Sequence, residues 1–410
     1  MMSPDETPLA RKTLLALCAG GPDAVEPDDL RALAASGWDW IAARSQQYRL
    51  LPLLHAAFAQ RPGWPVPEPL REACCAAHRR WVFRSLVMQQ ALIEVGAALD
   101  EHRIPYAALK GASLSLQFYA EPALRPMRDL DIMVAPDDAE RAYALLKQTG
   151  YAKVPGKGEH GLERKHHLPL IVNANRVYLE LHHRIAPCDW SGSQALGERL
   201  VANARAVDFQ GHTVRMPDPS DTYLHLVVHA AFHNLFDNGP NLLSDLQALE
   251  DSGLVERAPI EAFAREHGLE ASLALIEALM ARARARLGGP APKVPAVPEA
   301  LLDQAAALMT QDPDQHWQRL LLRKRRSLLH RAAAGVRRAF RPSDYDLSLV
   351  AGEDVSGLSA MRHYPAWLMH KTRAYLAAEF QPELDREAAG DAQLEKWIGR
   401  PALTQRDVQT

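Results

Sequence analysis

At 410 residues, with a net charge of −3 and 24% charged side chains, the chain is too long for one compact core, and a prior of about 150 residues per domain points to two or three domains. A near-neutral balance excludes a body that binds nucleic acid over its whole surface, so any basic surface is local. Cys18, Cys74, Cys75 and Cys188 form no CxxC pair, which suits a reducing compartment, and an acidic start without a long apolar run predicts a soluble, cytoplasmic chain.

Residues 1–103 read as helical throughout. Pro27-Asp28-Asp29 opens one helix, and residues 45–58 continue with Tyr48, Leu51, Leu54 and Ala57 at helical spacing. Arg61-Pro62-Gly63-Trp64-Pro65 breaks that pattern. A long helix then runs from about residue 67 to residue 102 and delivers the chain into a short buried strand, residues 104–109.

Residues 104–215 alternate strand and helix, which predicts a mixed sheet with helical cover and an α+β fold class. Gly111 opens a helix through Gln117, so free backbone N–H groups and a positive helix end follow the strand where a phosphate can sit. Asp129-Leu130-Asp131-Ile132-Met133-Val134 reads as a strand, and its period of two sends both carboxylates from one face. Adjacent acids repel unless a cation neutralises them, and hard oxygen ligands favour Mg²⁺. Pro136-Asp137-Asp138 caps a helix to Thr149, residues 151–154 form a strand, and residues 155–163, with three glycines, read as a flexible loop. Residues 167–172 and 177–183 form a hairpin in which Tyr178, Glu180 and His182 share a face.

From residue 217 the pattern is helical again. Ser220-Asp221-Thr222 starts a helix carrying His225, His229 and His233, a row whose ends lie about 12 Å apart along the axis and cannot share one ion. That row reads as core packing or as a polar lining beside the site. Residues 242–249 form the next helix, with Asp245, and residues 260–287 add one or two more. Residues 288–298 are a Pro-rich linker, and 299–410 a helical extension. Within it, residues 315–343 contain no acid, and nine basic side chains from Arg319 to Arg341 alternate with apolar ones. Such a segment can dock on anionic lipid, RNA or a phosphate-rich substrate, or pack on the body.

The pattern Leu109-Lys110-Gly111, Tyr119, Pro122, Arg125, Asp129-Leu130-Asp131 and Leu179-Glu180-Leu181-His182-His183 resembles the uncharacterised bacterial nucleotidyltransferases of the polymerase-β-like superfamily, with weaker similarity from about residue 45 to about residue 280. The resemblance implies a nucleotidyltransferase core at 104–215 between helical segments at 1–103 and 216–287, and a third acid, Glu180, that joins the pair from a neighbouring strand. Two positions depart from the family pattern. Gly111-Ala112-Ser113 stands where Gly-Gly or Gly-Ser is usual, and Glu180 stands where aspartate is more frequent.

On this reading Asp129, Asp131 and Glu180 hold one or two Mg²⁺ ions, with Mn²⁺ as the alternative, against the phosphates of a nucleoside triphosphate. Gly111 and Ser113 hold the departing phosphates, and Lys110 and Arg125 are counter-charges. Arg128 joins them as a candidate, although in a regular strand it faces away from Asp129. His182 belongs to the site by the resemblance and by its alternation with Glu180. The expected reaction moves a nucleoside monophosphate to a hydroxyl or phosphate acceptor (small molecule, glycan, peptide or protein) and releases pyrophosphate. Nucleic acid is not expected as the main partner, and membrane contact is expected only through 319–341. The alternatives are a nucleotide-binding scaffold of the same fold, or an adaptor working through the basic segment. No GxSxG, GxxxxGK[ST] or GxGxxG motif supports hydrolase, Walker or Rossmann chemistry.

Overall fold

The structure, a computed structural model, describes residues 6–154, 166–185, 190–288, 297–312, 347, 350–351, 357–369 and 382–400. The glycine-containing loop at 155–163, most of the 288–298 linker and the basic segment 319–341 lie outside the described residues.

Four helices come first: α1 (Glu6–Gly20), α2 (Pro27–Ala32), α3 (Ala35–Gln47) and α4 (Leu51–Gln60). The helix expected to run unbroken over residues 45–58 is split between α3 and α4. Arg49 takes a left-handed φ of 60°, and the Leu50 N–H turns back to the Ser45 carbonyl at 2.8 Å, a helix stop usually made by glycine. Helix α5 (Glu68–Glu101) ends the same way. Arg103 has φ 53° and Ile104 N–H reaches the Leu99 carbonyl at 2.9 Å, which turns the chain into β1 (Tyr106–Ala108). By length and composition α5 could cross a bilayer, yet half of its most apolar window is buried inside the protein, where it packs on α4 and the sheet layer.

After β1 come α6 (Lys110–Gln117), β2 (Asp129–Val134), α7 (Ala139–Gln148), β3 (Ala152–Lys153), β4 (Ile171–Val172) and β5 (Tyr178–His182). The strands form one mixed sheet in the order β1-β2-β5-β4-β3. β2 runs antiparallel to β1 and parallel to β5, and β4 pairs antiparallel with both β5 and β3. The strand expected over residues 167–172 is regular only at its end, with an isolated bridge from His167 to His182.

Alternation along the central strands divides the two faces. Leu130, Ile132, Val134, Leu179 and Leu181 are almost fully buried in a core shared with the second half of α5 and with α7. Asp129, Asp131, Glu180 and His182 leave from the opposite face, as a period of two requires. That face is covered by α6, α8 (Gly192–Ala202), α9 (Pro219–Val228) and α10 (Asn241–Asp251). Between α8 and α9 stands a hairpin with no counterpart in the sequence reading, β6 (Arg205–Phe209) and β7 (His212–Met216). Helices α11 (Arg257–His267), α12 (Glu270–Ala283) and α13 (Glu299–Met309) complete the helical layer. α1 packs against α10 and α12, so the N-terminal helix shares one apolar core with residues 223–280.

Candidate active site

The site begins at the junction of β1 and α6. Leu109 extends the ladder by donating its N–H to the Asp131 carbonyl at 2.8 Å, and Lys110 then takes a left-handed φ of 47°. A non-glycine residue in that region costs about 1 kcal/mol or more, and such strain is concentrated at functional sites. The turn sends the Lys110 ammonium onto Asp131 Oδ1 at 2.8 Å. Gly111 is favoured by packing, since a Cβ there would lie 2.6 Å from Met127 Cγ.

Parallel pairing of β2 with β5 puts Asp131 directly opposite Glu180. Two positions on from Glu180, His182 aims Nε2 back at the acids, 2.7 Å from Asp131 Oδ1 and 3.5 Å from Glu180 Oε2. The ligand atoms of Asp131, Glu180 and His182 all lie within 4.8 Å of one another. Two carboxylates and an imidazole held that closely fit a divalent cation.

The charges in this centre are out of balance. Burial first, then the negative charges of Asp131 and Glu180, push the Asp129 carboxyl up to about 7, against the pull of Arg128 and Lys110. Burial also acts to raise Asp131, but Lys110 and His182 outweigh it and hold that carboxyl down at about 2. Glu180 is held well below the usual carboxylate range despite its burial, by His182, His167 and Lys110. The same contacts overcome burial to raise Lys110 and His182.

A wall of histidines stands beside the acids. The His182 ring is 5.4 Å from His166 and 5.7 Å from His167; His166 is 4.5 Å from His233, and His233 is 5.3 Å from His229. Burial, reinforced by neighbouring positive groups, keeps His166, His225 and His229 well below the ordinary imidazole value and His233 at about 3. These rings are therefore neutral at pH 7 and add donors and acceptors without adding charge. The i, i+4, i+8 spacing of 225, 229 and 233 was the legible sign of this wall. What it did not show is that α9 widens into a π-helical turn over His229–His233, a departure that recurs at functional sites. Arg400, brought from the far end of the chain, donates to the Phe232 and His233 carbonyls at 2.7 and 3.0 Å and so satisfies groups that the end of the helix leaves unpaired.

Arg125 and Ser113 differ from the expected phosphate contacts. The Arg125 guanidinium lies bidentate on Asp245 of α10, with Nε 2.6 Å from Oδ1 and a terminal nitrogen 2.8 Å from Oδ2. Its remaining terminal nitrogen donates to the Pro126 carbonyl at 3.0 Å, and the Tyr119 hydroxyl completes the set on Asp245 at 2.7 Å. A fork engaged on both edges has no free edge for phosphate. Ser113 is fully buried, and its hydroxyl accepts from Gln117 at 2.8 Å. Arg128 acts through its charge on Asp129.

No curated protein matches the chain. The solution structure of the antibiotic-resistance factor ANT(2'')-Ia is similar over 45% of this chain and 91% of that one, with 14% identity and a TM-score of 0.30, a likeness too low to add to the assignment. The model of the family described as uncharacterised nucleotidyltransferase matches residues 34–284, more than half of the chain and the whole of the sheet with its acids and histidine wall. The chain belongs to this family and is a nucleotidyltransferase, an enzyme that transfers a nucleoside monophosphate.

Proposed function

We propose that the enzyme moves a nucleoside monophosphate from a nucleoside triphosphate to a hydroxyl or phosphate acceptor, releasing pyrophosphate, with Asp129, Asp131 and Glu180 as the residues that hold one or two divalent ions, Mg²⁺ or Mn²⁺. The observation that carries this reading is the pairing of Asp131 with Glu180 across two parallel strands, beside an Asp129 that is costly to ionise there. A divalent ion bound there supplies charge neutralisation at the α-phosphate and lowers the pKa of the acceptor oxygen. The chain's own part is positioning. Asp129, Asp131 and Glu180 give acceptor lone pairs on one sheet face, and Lys110 fixes the orientation of Asp131. Lys110, with the backbone of Gly111, also offers positive charge to the leaving phosphates. The neutral histidines beside them can hydrogen-bond sugar or acceptor hydroxyls without adding positive charge beside the ions.

The test incubates the full chain with Mg²⁺ and each α-labelled nucleoside triphosphate, with and without cell extract. Support is label on an acceptor together with free pyrophosphate, both lost in Asp131→Asn. Bound nucleotide without either product would overturn transfer and leave a nucleotide-binding scaffold.

A further inference from the structure

The third donor facing Asp131 and Glu180 is a nitrogen, and its placement is as constrained as theirs. His182 is 2% exposed, it shares a strand face with Glu180, and its ring is flanked by His166 and His167. Two ligands bound at about 2.1 Å to one cation stand about 3.0 Å apart at right angles and about 3.4 Å apart at the tetrahedral angle. The separations of His182 Nε2 from Asp131 Oδ1 and Glu180 Oε2, 2.7 and 3.5 Å, bracket that range. Among the described residues this is the one group of three such side chains whose ligand atoms come so close. The histidine row of α9 is instead spaced by ring packing, with centroids 5.3 and 6.2 Å apart.

Donor chemistry then decides which ion the trio suits. Two carboxylates alone make a hard oxygen site for which Mg²⁺ is well matched, whereas an imidazole adds affinity for first-row transition ions and little for Mg²⁺. We infer that the position formed by Asp131, Glu180 and His182 takes a first-row transition dication in preference to Mg²⁺, with His182 Nε2 as a direct ligand. This deepens the proposed function and rests on its reading of Asp131 and Glu180 as ion-binding residues.

Mn²⁺ is the probe, because it is paramagnetic and reports its own ligands. The full chain is titrated with Mn²⁺ by electron paramagnetic resonance, with Mg²⁺ as competitor, and the bound ion is examined by pulsed methods for a directly coordinated nitrogen. Wild-type protein is expected to bind Mn²⁺ at least about tenfold more tightly than Mg²⁺, about 1.4 kcal/mol, and to show one imidazole coupling. His182→Gln is expected to lose the coupling and most of the preference while still binding Mg²⁺. Bound Mn²⁺ without nitrogen coupling in the wild type overturns the inference, whatever the variant does. Coupling that persists in His182→Gln overturns it too, by assigning the nitrogen to a neighbouring ring. Failure of the underlying reading has a different signature: neither ion binds the wild type, and Asp131→Asn transfers at the wild-type rate.

Discussion

Two buried ionic clusters on the covered side of the sheet use the same kinds of side chain to opposite ends. Around Asp245, one carboxylate meets one guanidinium and one hydroxyl, all within hydrogen-bond distance, and the charges cancel. Around Asp131, three carboxylates share Lys110 and His182, and Asp129 is left with a carboxyl raised to about 7. A balanced cluster is a cross-link. An unbalanced one has room for another positive charge, and this difference, more than burial or proximity, separates the clamp from the proposed catalytic centre.

The largest effect that tests this contrast is on chemistry. Asp131→Asn should lower nucleotide transfer by at least about 10²- to 10³-fold, because ion-mediated stabilisation of the transition state is worth several kcal/mol. Folding should lose no more than about 1–2 kcal/mol, since Asp129 and Glu180 remain to neutralise Lys110. Label transfer and thermal melts on one preparation check both halves, and a collapse in Tm with normal transfer would reverse the assignment of the two clusters.

The clamp should respond the other way. Arg125→Ala leaves Asp245, which is 1% exposed, buried without its counter-charge, and removing one partner of such a pair costs about 3–5 kcal/mol. Chemical denaturation should show that loss while nucleotide affinity per folded molecule changes less than about twofold. A raised KM with unchanged stability would restore Arg125 to the phosphates.

A smaller effect is expected at the strand–helix junction. In Gly111→Ala the new methyl meets Met127 at 2.6 Å, and overpacking of that kind costs about 1–3 kcal/mol. Met127→Ala should relieve it, so the double variant should be more stable than the sum of the singles, and additivity would place the strain elsewhere.

How far these clusters were legible in the sequence follows from how local their causes are. Lys110–Gln117 as a helix after a buried strand, Asp129–Val134 as a strand and Tyr178–His182 as an acid-bearing strand could be read from period and turn residues within a few positions. The α3–α4 break had one local sign, Pro52 in the first turn of α4, but the turn itself is made by Arg49 in a left-handed conformation with no glycine to announce it. The hairpin Arg205–Phe209 with His212–Met216 was legible and missed: Val207, Phe209, Val214 and Met216 alternate with polar positions on either side of Gln210-Gly211, whose left-handed φ values of 54° and 80° make a two-residue turn. The pairing of Arg125 was not legible for a different reason: its partner is 120 positions away. Local pattern cannot tell a cation awaiting phosphate from one already paired. The same holds for Arg400 and the carbonyls of the π-helical turn.

The smallest expected effect is the most direct measure of imbalance. The folded chain keeps a proton on Asp129 up to about pH 7, whereas the unfolded chain releases it near the ordinary value of 3.8. Between those values the native state binds more protons, so this group's contribution to stability, full below about pH 4, is lost as pH rises towards 7. One proton gives a slope of at most about 1.4 kcal/mol per pH unit, and solvent screening at this half-buried carboxylate makes the observed slope smaller. Other groups move the raw profile. The histidines held neutral, His166, His225, His229 and His233, make the fold lose stability as pH falls below the ordinary imidazole value. Asp131 and Glu180, held low, act the same way further down. The informative quantity is therefore the difference between wild type and Asp129→Asn, whose amide mimics the protonated carboxyl at every pH. That difference should be near zero at pH 4 and should favour the variant increasingly up to pH 7. In saturating Mg²⁺ or Mn²⁺ it should shrink or change sign, because a bound cation stabilises the carboxylate that the amide cannot replace. A difference that is flat in pH and indifferent to divalent ions would mean that Asp129 is already balanced, and the contrast between the two clusters would disappear.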